Sequence, residues 1–324
     1  MINRYSRQTI LSEVGTAGQA RLRDARVLVI GAGGLGCAVL QYLCAAGVGR
    51  LAIVDHDQVE ESNLHRQPIY RMSDVGRLKA QAARAALLES NPEIQIEAVS
   101  ERLTPANATP LAASADLIVD AADSFAVTYT LSDECHRQSK GLVSGSVLGL
   151  AGYVGAFCGG APSYRAVFPE MPRHAGSCAH FGVLGTAVGV IGTLQAHMVL
   201  ALLLRLQPAV LGQLVTVDFR TLRFGRFSFA AAQEPSGPAT PFISAAQVAK
   251  TDIVIDLRSL SEAPVSPFAA ALRIGVDEVV DAQSQLPREQ RVVLCCRTGV
   301  RAWRAARALQ CQGHQNVALI ALGD

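Results

Sequence analysis

Residues 25–36 read ARVLVIGAGGLG and residues 51–55 read LAIVD. The apolar run Ala25–Ile30 is the length of a buried strand, and Leu35–Ala46 is a run of small apolar residues with helical spacing. Leu51–Val54 is a second strand with Asp55 at its end. Between the first strand and the helix stand Gly31, Gly33, Gly34 and Gly36. Glycines there allow a tight turn and close backbone approach, and the helix N-terminus then presents free N–H groups to a phosphate. Asp55 follows Gly36 by 19 positions (55 − 36), where an acid can accept from a ribose hydroxyl. Alone, these features specify a Rossmann-like nucleotide site, and an NAD dehydrogenase is the default reading.

Outward from this unit the alternation continues. Arg77–Ser90 reads as an Ala-rich helix ending at Asn91-Pro92, and Ile94–Val99 and Leu117–Val119 read as strands. This order predicts an α/β fold with a doubly wound, mostly parallel sheet. Leu142–Val147, Gly152–Cys158, Leu214–Phe219 and Thr221–Phe229 then come as consecutive strands and predict an antiparallel extension. Residues 230–241, AAAQEPSGPATP, read as a linker. Beyond it Ile253–Asp256 and Val292–Cys295 read as strands, Val300–Gln310 as a helix and Val317–Ile320 as a last strand. The expected organisation is a nucleotide-binding domain over 1–229, the linker 230–241, and a small α/β domain over 242–324.

Twenty-nine basic and 27 acidic side chains leave a formal charge of +2. No global field draws such a chain to nucleic acid or membrane, and no RNA- or DNA-binding motif is present. The N-terminal MINRYSRQTI lacks the apolar stretch of a secretory signal. None of the eight cysteines is spaced Cys-x-x-Cys, which argues against a zinc ribbon. They read as cytosolic thiols, so a cytoplasmic protein is expected. Gly182–Leu204 imitates a membrane span, but Gln195 and His197 interrupt it. It reads as a fully buried helix of the kind found at dimer interfaces.

The charges around the glycine turn argue against hydride transfer. Residues 53–67 read IVDHDQVEESNLHRQ, Lys79 follows in GRLKA, Asp120 and Asp123 lie in DAADSF, and Arg4 and Arg7 lie in RYSRQ. A dehydrogenase needs few cations beyond its pyrophosphate site. Nucleotidyl transfer needs several, because charge builds on the α-phosphate and on departing pyrophosphate, and it needs a carboxylate for Mg²⁺.

Together, RYSRQ, GAGGLG, D-x-D-x-V-x-x-S-N-L-x-R-Q, the GRLKA lysine and D-x-x-D resemble the signature of the ThiF/MoeB/HesA family, bacterial relatives of ubiquitin-activating E1 enzymes. The resemblance covers roughly residues 3–225. It implies that Gly34 contacts phosphates and Asp55 the ribose of ATP. It places Ser62, Asn63, Leu64, His65 and Arg66 along the nucleotide, gives Lys79 a supporting role, and makes Asp123 the Mg²⁺ ligand. Ser124 stands where relatives often have Asn. Arg7 resembles the arginine that reaches into a partner subunit's site, which implies a homodimer. Many relatives hold a zinc on two Cys-x-x-Cys pairs; here Ser163-Tyr164-Arg165-Ala166 stands at the first pair's place. No zinc is expected, because the thiolates are missing. Cys178, with His174 and His180 near it in sequence, matches a loop cysteine that in some members bonds the carrier. The other reading is a passive thiol.

The C-terminal VIDLRS at 254–259 and VVLCCRTGVRAWRAARAL resemble a rhodanese domain. Cys296 to Arg301 fits its Cys-x₄-Arg loop, in which backbone N–H groups and the helix dipole favour a thiolate or persulfide. Asp256 and Arg258 match an adjoining acid and arginine. The Gly-His-Ile-Pro-Gly-Ala stretch usual after the first strand is absent. Cys295 to Arg301 also has the Cys-x₅-Arg spacing of a tyrosine-phosphatase loop; Cys296 is preferred because Cys295 continues the apolar strand.

The resemblance implies adenylation of the C-terminal Gly-Gly carboxylate of a ubiquitin-like sulfur-carrier protein, then sulfur transfer from a Cys296 persulfide to give a thiocarboxylate. Arg66, Lys79 and a partner's Arg7 would offset charge, and an upstream persulfide donor such as a cysteine desulfurase would load the sulfur. The linker must let the small domain swing: twelve residues reach about 20 Å as a coil. The rivals are a dehydrogenase, an activator forming a thioester on Cys178 with a non-catalytic C-terminal domain, and a non-enzymatic carrier-binding scaffold.

Overall fold

The computed structural model describes residues 4–172, 182–237, 239–279, 281 and 286–323. Cys178, His174 and His180 lie outside the described residues. The strands of the large sheet are β1 (Arg26–Ile30), β2 (Arg50–Val54), β3 (Gln95–Val99), β4 (Leu117–Asp120), β5 (Gly141–Leu148), β6 (Ala151–Cys158), β7 (Gln213–Asp218) and β8 (Arg223–Ser228). Their spatial order is β3-β2-β1-β4-β5-β6-β7-β8. From β3 to β5 neighbours run parallel, and from β5 to β8 antiparallel. A central parallel strand is covered on both faces, so β1 and β4 are near-continuous apolar runs rather than alternating ones. The chain reverses direction across the sheet between β1 and β4, and their adjacent carboxyl ends form the crevice in which such sheets bind ligands.

The helix Gly34–Ala46 packs on one face of this sheet, crossed by the long helix Gly185–Leu204. Gly192 makes the crossing close: a Cβ there would fall 2.6 Å from the Leu35 carbonyl oxygen. The long helix also lies on β5 and β6. By length and composition it is the one helix among the described residues able to cross a membrane, yet just over half of it is buried within this chain. The expectation of full burial is thus corrected. Its side carrying Val190 is exposed, next to Phe224 of β8, because the sheet and its partner helix cover only the opposite side.

The second sheet contains β9 (Ile253–Asp256), β10 (Leu272–Arg273), β11 (Val292–Cys296) and β12 (Val317–Ala321), in the order β10-β9-β11-β12 and parallel throughout. Its helix Val300–Cys311 packs on β11 and β12. The stretch 230–241 does not behave as a loose tether. Glu234 accepts from the Ser163 backbone N–H and hydroxyl, both at 2.6 Å. Thr240 is buried, its carbonyl accepting from Arg165 at 3.3 Å and its hydroxyl from Gln310 at 2.8 Å. One apolar cluster runs from Leu28, Ile30 and Tyr129 to Leu294, Trp303 and Leu319, so the two sheets share a core. The swinging arm expected from composition is corrected by these contacts: small and proline-rich residues removed helix and strand signals without removing anchors.

Candidate active site

The glycine turn is forced by contact. Gly31 has φ +95°, and a Cβ there would lie 2.7 Å from the Ala121 carbonyl oxygen just past β4. A Cβ on Gly36 would overlap the Gly31 carbonyl. Gly33 is the N-cap of the helix Gly34–Ala46 and supplies no side-chain cap, which leaves the first backbone N–H groups to meet an anion. Gly36→Ala is expected to cost about 1–3 kcal/mol through overpacking and to weaken ATP binding; urea unfolding and ATP titration check both.

Ala32 is gripped from two sides. Its N–H donates to Asp55 Oδ2 at 2.7 Å, and its carbonyl accepts from the Tyr70 hydroxyl at 2.7 Å. Asp55 Oδ1 also accepts from the Asp57 N–H at 2.8 Å. Burial raises the Asp55 carboxyl. Its geometry thus braces the turn, with lone pairs left to accept from a ligand hydroxyl. Neither Tyr70 nor the buried Gln67, whose amide nitrogen lies beside Gly33, was singled out by the sequence; Gln67 stood in the quoted R-Q pair, and Tyr70 gave no signal.

Arg66 and Lys79 reach this region by different routes. The turn over residues 61–67 lies across the glycine turn and the start of the long helix: the Arg66 carbonyl is 3.5 Å from a Cβ placed on Gly34, and the His65 carbonyl closes over Gly185. Arg66 is half-buried, donating to the Ser62 carbonyl at 3.2 Å and sitting 2.8 Å from His65 Nε2. Ser62 and the buried Asn63 bond to Glu60 and to one another, and Leu64 packs against the core. Lys79 is buried at the first position of the helix Lys79–Ser90, and its ammonium donates to Asp57 Oδ2 at 2.9 Å. Burial alone would raise the Asp57 carboxyl, but the Lys79 ammonium outweighs it and holds it below its ordinary value. Asp57, the second acid of D-x-D, is therefore the residue that aims Lys79.

Asp120 and Asp123 divide the acidic work. Asp120 is fully buried and accepts from Thr128 Oγ1 at 2.7 Å, Ser144 Oγ at 2.8 Å and the Ala122 N–H at 3.3 Å. Its carbonyl accepts from Gln195 Nε2 at 2.7 Å. Asp123 is exposed, two residues past the Ala121 carbonyl that touches Gly31, and makes no hydrogen bond or ion pair among the described residues. Mg²⁺ bound with a nucleotide takes one or two carboxylates and completes its shell with phosphates and water. An uncommitted carboxylate at this spot fits that ion. Ser124 is the N-cap of the next helix, Phe125–Arg137.

Burial pushes the Asp120 carboxyl up to about 6 from its ordinary 3.8. A carboxyl that holds its proton more tightly folded than unfolded favours folding at low pH. That contribution is complete below about pH 4 and is lost as pH rises through about 6, roughly 3 kcal/mol for a shift of about two units. Measured by urea unfolding between about pH 4.5 and 7.5, wild type is expected to lose on the order of 2 kcal/mol relative to Asp120→Asn.

Arg7 is not brought to this turn. It is exposed on the short helix Ser6–Thr9; the preceding Tyr5 packs on Gly47, and Gln8 of the helix donates through Nε2 to the Ala46 carbonyl at 3.1 Å. That is the far end of the helix Gly34–Ala46, about 20 Å from the turn at 1.5 Å per residue.

The second set of residues converges at the carboxyl end of β11. The Cys296 sulfur accepts from the Gly299 N–H at 3.1 Å and the Ala302 N–H at 3.4 Å, inside a loop whose Arg297 and Thr298 are exposed. Cys295 packs in a different apolar cluster, and burial pushes its thiol up to about 12. The two neighbouring thiols thus face opposite sides of the sheet, as alternation along a strand requires. Arg301 is paired with Glu262 at 2.7 Å and donates to the Leu257 carbonyl at 3.2 Å. Buried Asp256 accepts two bonds from the Arg258 side chain, at 3.0 and 2.8 Å. Glu262, 39 residues before Arg301, carried no signal in the sequence.

A family model described as the ThiF family matches residues 5–239. The chain is 40% identical over 227 residues to the "Adenylyltransferase and sulfurtransferase MOCS3" of Drosophila virilis, covering 69% of this chain and 50% of that protein. It is 35% identical over 350 residues to the "Probable adenylyltransferase/sulfurtransferase MoeZ" of Mycobacterium tuberculosis, covering 96% of this chain and 89% of the relative. It is 41% identical over 225 residues to the "SAMP-activating enzyme E1" of Haloferax volcanii, covering 69% and 83%. The chain spans about half the length of the MOCS3 relative and most of the MoeZ one. Among solved structures, Escherichia coli MccB with ATP shares the fold, with a TM-score of 0.61, 22% identity, and coverage of 71% of this chain and 72% of that one. A glycine turn braced by Asp55, the turn that carries Arg66 folded over it, and a family match running from Tyr5 through the antiparallel strands agree: this chain belongs to the ThiF family.

Proposed function

We propose that this chain uses ATP and Mg²⁺ to adenylate the C-terminal carboxylate of a small ubiquitin-like sulfur carrier ending in Gly-Gly, and then replaces AMP with sulfur held on Cys296. What supports the reading is a glycine turn with an uncapped helix N-terminus, overlain by the turn that carries Arg66, tied through Tyr70 to the start of the Lys79 helix, and followed past β4 by the uncommitted carboxylate of Asp123.

The carboxylate attacks the α-phosphorus, and pyrophosphate leaves. The turn's N–H groups and Lys79, aimed by Asp57, hold the phosphates, and Arg66 offsets charge as it builds. Asp123 would hold Mg²⁺, which supplies positive charge to the phosphates. Arg7, exposed and remote from its own turn, is suited to a partner subunit's site in a homodimer. No zinc enters this scheme: Ser163, which caps its turn and bonds Glu234, stands in the sequence where the resemblance puts the first thiolate pair.

A donor such as a cysteine desulfurase loads Cys296 as a persulfide, which the Gly299 and Ala302 N–H groups stabilise as an anion. Its terminal sulfur attacks the acyl carbon; the C–S bond forms and AMP departs with the electron pair of the C–O bond. A second thiol, Cys178 in this scheme, then attacks the Cys296 sulfur. The carrier leaves as thiocarboxylate and a Cys178–Cys296 disulfide remains, to be reduced by an external thiol.

The test is mass spectrometry of the carrier after incubation with enzyme, ATP, Mg²⁺ and a persulfide donor. A thiocarboxylate is expected. A carrier left in stable thioester linkage to Cys178, with no thiocarboxylate, contradicts the sulfur-transfer step. An unmodified carrier and no AMP contradict both steps.

A further inference from the structure

The two sheets meet through a built interface. The Tyr129 and Trp303 rings stand 5.4 Å apart, and the Arg165 guanidinium lies 4.8 Å from the first and 5.4 Å from the second. Arg165 is buried and doubly bonded to Asp133, at 2.5 and 2.8 Å. Trp303 Nε1 donates to Glu170 at 3.2 Å, and Arg307 pairs with the same carboxylate at 2.5 Å. A buried, fully paired cation between two rings is costly to re-expose.

A second contact joins the two sites themselves. Arg102, just past β3, donates through Nε to His56 at 3.1 Å and reaches the Leu322 carbonyl at 3.5 Å. Its guanidinium lies against the α-carbon of Gly323, where any side chain would collide with it. Leu322 and Gly323 donate their N–H groups to the carbonyls of Cys296 and Arg297, at 2.9 and 2.8 Å. The base of the sulfur loop therefore abuts the segment in which Asp57 holds Lys79.

The two helices that touch begin at the two reactive loops. Tyr129 is four residues into the helix that follows Asp123 and Ser124, about 6 Å along its axis, and Trp303 is three residues into the helix that follows the Cys296 loop, about 5 Å. An extended carrier tail of five residues spans about 17 Å, enough to bridge offsets of this size.

We propose that the small domain works docked and in cis: the Cys296 persulfide of one chain attacks the adenylate made in the same chain, and the carrier's tail, not the domain, covers the distance. This rests on the adenylation and sulfur-transfer reading above. The bonds are those of that step: C–S forms, C–O to AMP breaks, and AMP takes the pair.

The test uses full-length heterodimers purified through two different tags. A pair of Asp123→Ala and Cys296→Ala chains is expected to make no thiocarboxylate. A pair of wild type and the Asp123→Ala/Cys296→Ala double variant is expected to retain about half the wild-type rate. Transfer between subunits predicts the reverse for both pairs and overturns the proposal. Glu170→Arg, which sets a cation against Arg307, supplies a measurement independent of oligomeric state. Carrier-dependent ATP–pyrophosphate exchange is expected within about twofold of wild type and thiocarboxylate formation down about tenfold, with rescue by Arg307→Glu. An unchanged or faster transfer contradicts docking. Loss of carrier-dependent ATP–pyrophosphate exchange in wild type would instead mark failure of the adenylation reading.

Discussion

Asp123→Ala will slow formation of the carrier adenylate by about 10²–10³-fold, the scale of removing one preorganised charge-stabilising contact, and will leave the unfolding midpoint nearly unchanged. The reasoning is a contrast between two acids three residues apart. Asp120 spends both oxygens on Thr128, Ser144 and the Ala122 N–H, so its loss damages the fold. Asp123 is exposed and bonded to nothing among the described residues, so its loss costs little packing. Single-turnover pyrophosphate release, run beside thermal unfolding, separates these effects. If Asp123→Ala keeps wild-type rates across Mg²⁺ concentrations, its carboxylate has no part in the chemistry.

Cys296→Ala will leave adenylate formation within about twofold of wild type and reduce thiocarboxylate below detection, because a nucleophile removed from its cradle has no substitute. Cys295→Ala will not. Cys296 receives two backbone N–H bonds in the loop, whereas Cys295 points into a separate apolar cluster and holds its proton up to about pH 12. A thiolate is the reactive species, so the neighbouring thiol cannot stand in at neutral pH. Adenylate accumulating on Cys296→Ala, followed as AMP-labelled carrier, would show that the two steps are separable. Equal losses from both cysteine variants would point to a damaged strand rather than a missing nucleophile.

The parallel core was legible because buried parallel strands are written as unbroken apolar runs such as VLVI and LIVD. The glycine turn was legible because close contacts at Gly31 and Gly36 admit no side chain. The partners of the reactive groups were not. Asp57 on Lys79, Tyr70 on Ala32 and Glu262 on Arg301 are bonds that only tertiary placement creates, and a single acid or tyrosine gives no periodicity to read. The helix Phe125–Arg137 carries Thr128, Tyr129 and Ser132 on its buried side, so its apolar stripe is interrupted. Docking of the small sheet was the least legible feature, since Arg165 and Trp303 are 138 positions apart (303 − 165) and each reads as an ordinary side chain until their stacking is seen. The outward side of the long helix read as core because apolar composition alone does not say which element covers it.

Isotope exchange between ATP and pyrophosphate, with wild-type chain, Mg²⁺ and a Gly-Gly-ended carrier, most directly tests whether the glycine turn serves nucleotidyl transfer. Exchange that needs both the carrier and Mg²⁺, and that NADH does not inhibit, is the result this account predicts. No exchange with a carrier shown to bind, or tight NADH binding at the same turn, would contradict it.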